Sequence, residues 1–156
     1  DAVWGDAGAD GLAGGGGADS VRGGGGAEWL AGGAGNDAMD GGSGADVLDG
    51  GAGDDVLIGG AHDGLTGGEG ADAFALMAGD GTEFATDGAA VLIGDFQPGL
   101  DRIEVDYTGQ SAPVLSLDTV AGGVVLRADG AEIAYLPGIE AGQVDLAAIR
   151  LVQVSA

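Results

Sequence analysis

The chain has no cysteine and no lysine, and it holds one histidine and three prolines among 156 residues. Without cysteine, neither a disulfide framework nor a thiolate metal site can brace a fold, and thiols say nothing about the redox compartment. A single histidine leaves zinc without a second nitrogen or sulfur ligand. Positive charge is nearly missing too: four arginines face 26 acidic residues, for a formal charge of -22. That balance repels nucleic acid and anionic membranes and makes cations the natural partners. No apolar run approaches the ~20 residues of a membrane-spanning helix. Asp1 is followed by neither a basic n-region nor an apolar h-region, so no cleaved secretory signal is visible.

What is plentiful is glycine, 37 residues of the chain, beside an apolar content of 45%. So few prolines and so many apolar residues fit neither collagen nor a disordered tract, so the glycines must have a positional purpose. They recur in a nine-residue unit of the form G-G-x-G-x-D-x-U-x, where U is a large apolar residue. The unit is clearest in Gly32 to Asp40 (GGAGNDAMD), Gly41 to Asp49 (GGSGADVLD) and Gly50 to Ile58 (GGAGDDVLI). Upstream lie Gly23 to Ala31, Gly14 to Arg22 and Gly5 to Ala13. Asp1 to Trp4 reads as the back half of another unit, so a longer solenoid is expected to continue toward the N-terminus. Downstream, Gly59 to Thr66 (GGAHDGLT) is one residue short, and Gly67 to Ala75 restores the frame.

Within each unit the glycine half permits positive φ and close backbone approach, and so reads as a turn. The x-U-x that follows suits a very short strand with its central side chain inward. Val3, Leu12, Val21, Leu30, Met39, Leu48, Leu57, Leu65 and Phe74 would form the interior. One unit buries too little to stand alone, so two units make a coil and residues 18 apart stack. The acidic positions then fall into two columns. One holds Asp1, Asp19, Asp37, Asp55 and Asp72; the other holds Asp10, Glu28, Asp46 and Asp63. Carboxylates stacked ~5 Å apart repel unless a cation sits between successive turns. Calcium accepts six to eight oxygens in flexible geometry, whereas magnesium insists on an octahedron and keeps its waters. Turn carbonyls at Gly14, Gly16, Gly23, Gly32, Gly41, Gly50 and Gly59 are the candidate companions of the carboxylates.

The unit resembles the nonapeptide of the repeats-in-toxin (RTX) family, secreted bacterial proteases, lipases, cytolysins, adhesins and polysaccharide-modifying enzymes. The resemblance covers residues 1 to 75. Gly67 to Ala75, followed by Leu92-Ile93-Gly94-Asp95-Phe96 and Gly99-Leu100-Asp101-Arg102-Ile103, is also similar to the region that closes the roll in that family. The resemblance implies a right-handed parallel β-roll, an all-β solenoid with calcium held by the repeat aspartates and turn carbonyls. It also implies export by a type I transporter that reads an uncleaved C-terminal signal, and hence a secreted, extracellular protein. Glu28, Asp6 in place of the second glycine, and the missing residue near His62 depart from the pattern, so fewer sites are expected than in a perfect array: five to seven ions.

After Ala75 the period stops. Apolar stretches at Val91 to Phe96, Arg102 to Tyr107, Val114 to Leu117, Val124 to Arg127 and Ile133 to Leu136 read as strands between turn signals. A short helix is expected at Val144 to Ile149. Residues 76–156 are thus a β-rich cap and secretion-signal region, with Leu151 to Ala156 belonging to the signal. Trp4, Trp29, Val47, Val56 and Ile58 point outward in this frame, the last three beneath the cap.

A catalytic set is not found: no H-E-x-x-H, no G-x-x-x-x-G-K and no Ser/His/Asp arrangement. Asp54 and Asp55 are adjacent, but Asp55 lies in the calcium frame and Asp54 at its variable position, and Ser43 lies in GGSG rather than a nucleophile elbow. The function expected is an accessory calcium-dependent folding and secretion module beside an upstream domain of an extracellular enzyme or toxin. The competing reading is a polysaccharide-binding, surface-layer or adhesin module. Its ligand face would want an ordered ladder, and Gly11, Ser20, Trp29, Ala38 and Val47 make a mixed one.

Overall fold

An inward side chain at every ninth residue, alternating between two walls, requires two sheets with the chain winding from one to the other. The computed structural model describes residues 1–77, 90–108 and 111–154 and has that form. β1 (Ala2–Trp4), β3 (Ser20–Gly26), β5 (Ala38–Gly44), β7 (Val56–Gly59) and β9 (Ala73–Met77) build one wall. β2 (Gly11–Gly16), β4 (Trp29–Ala34), β6 (Val47–Ala52) and β8 (Gly64–Glu69) build the other. Neighbours within a wall are parallel: Val3 pairs with Val21, Val21 with Met39 and Met39 with Leu57, while Leu12 pairs with Leu30 and Leu30 with Leu48. Across the shortened unit Leu48 pairs with Leu65 and Leu57 with Phe74, one residue fewer per coil. The chain is an all-β parallel roll.

The strands are longer than three residues, because they run on into the glycines of the next unit. Gly15 pairs with Gly33 and Gly24 with Gly42 in the same parallel ladders. A glycine at φ 113, such as Gly33, bends the chain while its coil stays superposed on the next, so pairing survives the turn. Turn and strand are not separate halves of the unit.

Val21, Leu30, Met39, Leu48, Leu57, Leu65 and Phe74 are buried between the walls in one core, and Val3 and Leu12 are partly buried at the open end. Two apolar side chains per coil make a thin core. It thickens past the last nonapeptide, where β10 (Val91–Ile93) pairs in parallel with β8 and β11 (Arg102–Tyr107) with β9. The Leu92 N–H donates to the Asp63 carbonyl at 2.8 Å and the Arg102 N–H to the Asp72 carbonyl at 2.9 Å, the way Ala38 enters the ladder on Asp19. The roll's sheets therefore extend beyond the nonapeptides.

β14 (Ala131–Pro137) then pairs in parallel with β10, and β15 (Arg150–Gln153) with β11. β12 (Leu115–Val120) and β13 (Gly123–Ala128) extend the eight-stranded sheet as antiparallel neighbours. Leu76, Val91, Ile93, Ile103, Val105, Leu126, Ile133 and Leu136 fill this end, and Phe74 meets Phe96 with ring centroids 6.4 Å apart. Where a helix is expected at residues 144–149, the chain makes one 3-10 turn, Leu146–Ala148, with the Asp145 side chain accepting from the Ala147 N–H. Of the expected cap, residues 78–89 and 109–110 lie outside the described residues, as do residues 155 and 156 of the expected signal.

Trp4 and Trp29 are outward, 74% and 54% exposed. Val47 is not covered as expected but is 50% exposed. Among the described residues the C-terminal strands add to the sheets edge to edge rather than over the outer face of β6. Val56 and Ile58 are half-buried.

His62 adopts φ 75 in the shortened turn, a conformation that costs a residue with a Cβ about 1 kcal/mol. His62→Gly is expected to stabilise the roll by about 0.5–1 kcal/mol, raising its thermal midpoint at saturating calcium; a lowered midpoint would contradict this account of the turn.

Candidate metal centre

Each full nine-residue unit turns its acidic side chain back across its own first glycine. The first glycine lies two residues after the core residue and so faces inward, and the aspartate carboxylate fills the space a side chain would take. A methyl group at Gly32 would sit 2.5 Å from Asp37 Oδ2 and 2.6 Å from the Gly50 carbonyl oxygen of the next coil. At Gly14 the same distances are 2.8 Å to Asp19 Oδ2 and 2.8 Å to the Gly32 carbonyl, and at Gly41 a methyl would lie 2.7 Å from Asp46 Oδ2. Gly50 meets Asp55 Oδ2 and the Gly67 carbonyl, and Gly23 meets Glu28 Oε2 and the Gly41 carbonyl. Carboxylate and carbonyl oxygens thus converge on one cleft per unit.

Each column is held by a hydrogen-bond ladder of its own. The backbone N–H of Asp19 donates to Asp37 Oδ1 at 2.8 Å, that of Asp37 to Asp55 Oδ1 at 2.8 Å and that of Asp55 to Asp72 Oδ1 at 2.9 Å. In the second column Glu28 donates to Asp46 Oδ1 at 2.9 Å and Asp46 to Asp63 Oδ1 at 2.8 Å. One oxygen each of Asp37, Asp46, Asp55, Asp63 and Asp72 is satisfied by this ladder, and Asp19 Oδ1 accepts from the amino group of Asp1. Asp19, Asp37, Asp46, Asp55 and Asp72 each bury Oδ2 without a partner, and Glu28 buries both oxygens without one.

A buried carboxylate oxygen with nothing to accept from costs several kcal/mol, so the residues fit a ligand that is positive, compact and bound by oxygen. Among the described residues no three acidic or histidine side chains lie close enough to hold a metal by themselves. Glycine carbonyls must supply the rest of the shell, and a mixed carboxylate and carbonyl shell suits calcium better than magnesium or zinc.

The other expected residues sit differently. Asp1 is exposed at the open edge, and Asp10 is half-buried with its Oδ2 accepting from the Asp6 N–H at 3.2 Å. Asp63 has both oxygens satisfied, by the N–H groups of Asp46 and Gly60, because the missing residue draws Gly60 close. Gly59 faces the Leu65 side chain rather than a carboxylate, and Gly16 is open to solvent.

Three residues belong to the arrangement though they are not among the expected ligands. Gly67 packs against Asp72 Oδ2 as Gly50 does against Asp55. Asp101 continues the first column, its Oδ1 accepting from the Asp72 N–H at 3.0 Å and its Oδ2 from Gln97 at 2.8 Å. Asp95 accepts from the N–H groups of Gly67 and Gly68 at 2.9 and 2.8 Å. The D-x-U-x tail of the unit recurs in Asp101-Arg102-Ile103-Glu104 and was the signal available for Asp101. Asp54 stands apart from the columns in a shallow ladder, its N–H donating to Asn36 and its Oδ1 accepting from Ala71.

Burial, and then the Asp46 carboxyl, push Glu28 up to about 6; burial pushes Asp55 and Asp63 up to about 6 against the N–H groups that each accepts, and raises Asp72 as well. In the metal-free roll these groups hold protons more tightly than in the unfolded chain. That contribution is fully present below about pH 4, where unfolded carboxylates are protonated, and is lost as pH rises through about 6. In chelator, circular dichroism is therefore expected to show β structure gained as pH falls from 7 toward 4. The calcium midpoint should move to higher concentration below pH 6 as protons compete, and an apo roll indifferent to pH over that range would refute the assignment.

The family model described as the RTX calcium-binding nonapeptide repeat (4 copies) matches residues 4–39, 31–63 and 40–74. Among solved structures, the chain is similar to the AlgE6R2 subunit of the Azotobacter vinelandii mannuronan C5-epimerase at 25% identity and a TM-score of 0.54, covering 100% of this chain and 96% of that one. The AlgE6R3 subunit of the same enzyme is 27% identical with a TM-score of 0.46, covering 90% and 82%. No curated protein matches the chain.

Proposed function

Residues 4–74 belong to the RTX calcium-binding nonapeptide repeats, and from that premise we propose that the chain is an accessory module that folds on calcium outside the cell, after type I export, beside an upstream domain of a larger extracellular protein. The observation that carries this reading is the set of six buried acidic residues, Asp19, Glu28, Asp37, Asp46, Asp55 and Asp72, each with an oxygen that no protein group satisfies.

In cytosol poor in calcium, carboxylate repulsion and the entropy of so many glycines oppose the fold, and an unfolded chain can thread a secretion channel. Outside, each site held at a calcium concentration ~100 times its dissociation constant contributes about 2.7 kcal/mol, so binding and folding share one free energy. Asp19, Glu28, Asp37, Asp46, Asp55 and Asp72 would hold the ions with the carbonyls of Gly32, Gly41, Gly50 and Gly67, which lie in the same clefts. The bound ions supply the positive charge that lets the columns close.

The strands of residues 91–153 cover the last edges of both nonapeptide sheets, which favours folding from that end. The module itself is assigned no catalysis. The likeness to the epimerase subunit favours a parent that modifies polysaccharide. The outward rows offer no repeating ligand ladder, Gly11 beside Trp29 beside Val47 beside Gly64, which weighs against a glycan-binding or adhesin face as the chief role.

Circular dichroism during a calcium titration at pH 7 is expected to show β structure appearing cooperatively and disappearing on chelation. Complete β structure in chelator would sink the folding switch. Deleting about the last 50 residues is expected to abolish export by a type I transporter and leave the calcium-loaded remainder poorly folded; normal export of that truncation would refute the cap and signal roles.

A further inference from the structure

Glu28 differs in kind from the aspartates of its column. Each of Asp37, Asp46 and Asp55 accepts one backbone N–H from the preceding coil on Oδ1 and leaves Oδ2 alone. Glu28 leaves both oxygens alone although only 2% of the residue is exposed. Its extra methylene carries the carboxylate past the Asp10 N–H that an aspartate would meet. Oε1 comes to rest beside Gly26, 2.5 Å from where a methyl there would be, in a cleft that also holds the Gly8 carbonyl; Oε2 rests beside Gly23, 3.1 Å from its methyl position, where the Gly41 carbonyl lies. Both free oxygens of one carboxylate thus lie against a single turn, Gly23 to Gly26, with carbonyls of the coils on either side. A proton would satisfy only one of them.

We propose that Glu28 holds its cation through both carboxylate oxygens, in a site distinct from the one-oxygen aspartate sites and more strongly selective for calcium over magnesium. The proposal rests on the calcium-array reading above. Two oxygens of one carboxylate subtend a narrow angle, which a seven- or eight-coordinate ion at 2.3–2.6 Å tolerates and an octahedral ion at 2.0–2.1 Å does not. The departure from aspartate is then a change of coordination rather than a defect in the array.

The test uses the full chain with its glutamates labelled with 13C at the side-chain carboxylate. Glu28 is the one glutamate in the two columns, and the label separates glutamate stretches from those of the twenty aspartates. Calcium chloride titration followed by infrared difference spectroscopy is expected to give one labelled carboxylate whose antisymmetric and symmetric stretches draw together, the mark of two-oxygen binding. Magnesium chloride should not produce it, and Glu28→Gln should remove it. Glu28→Asp, which restores one-oxygen ligation, is expected to lower the calcium-over-magnesium preference of the most discriminating step to that of the other sites. A widely split labelled band, no labelled change in a chain that calcium has folded, or an unchanged preference in Glu28→Asp would overturn the proposal. If calcium does not fold the chain at all, the array reading falls first, and this one with it.

Discussion

Carboxylates buried one coil apart are the constraint on which the structure depends. At ~5 Å spacing and an effective dielectric near 20, each neighbouring pair of charges opposes the fold by about 3 kcal/mol. The backbone relieves part of this by donating one N–H to each aspartate from the coil before, and it can do no more, because each residue has one N–H. The second oxygen is left to an ion or a proton. Glycine follows from the same constraint: at Gly14, Gly32 and Gly41 the inward side chain is missing because a carboxylate oxygen lies where it would be. The glycine content is a matter of room as much as of flexibility.

The columns end where the backbone can satisfy a carboxylate completely. Asp63 takes its second N–H from Gly60 in the shortened turn, and Asp101 takes its second from Gln97. Beyond Asp63 the next residue in that line is Val91, which is buried. At this level the chain changes from a solenoid stabilised through its turns to a sheet pair stabilised by ordinary apolar packing around Phe74, Ile103 and Leu126. The change happens within continuous sheets, so the nonapeptide roll rests on strands held by apolar packing. That arrangement gives the nonapeptide coils a template with matching strand positions.

Much of this was legible in the residues. A nine-residue period with one apolar side chain per unit places the core line from Val3 to Phe74 and both acidic columns, because register in a parallel solenoid is the repeat length itself. Other features were not legible. Asp101 ends a segment without the glycine half of the unit, so periodicity passes over it, although it stands in the column in space. The covering of Val47 was expected from nearness along the chain, and failed because the C-terminal strands join the sheet edges instead of its face. The helix near residue 146 shrank to a single turn since β15 must begin at Arg150 to pair with β11.

The sequence by itself determined the repeat, the all-β solenoid, the alternation of two walls and the kind of ligand, since oxygen-rich turns without cysteine or a second histidine leave only hard cations to neutralise them. Only the tertiary structure decided which oxygens are free. Asp63 looks equivalent to Asp46 in the repeat yet has no unpartnered oxygen, while Glu28 looks like a weakened aspartate yet has two. The reason is that a carboxylate's satisfaction depends on where the neighbouring coil places its N–H groups, to within a few tenths of an ångström, and a one-residue or one-methylene change moves that relation without disturbing the pattern.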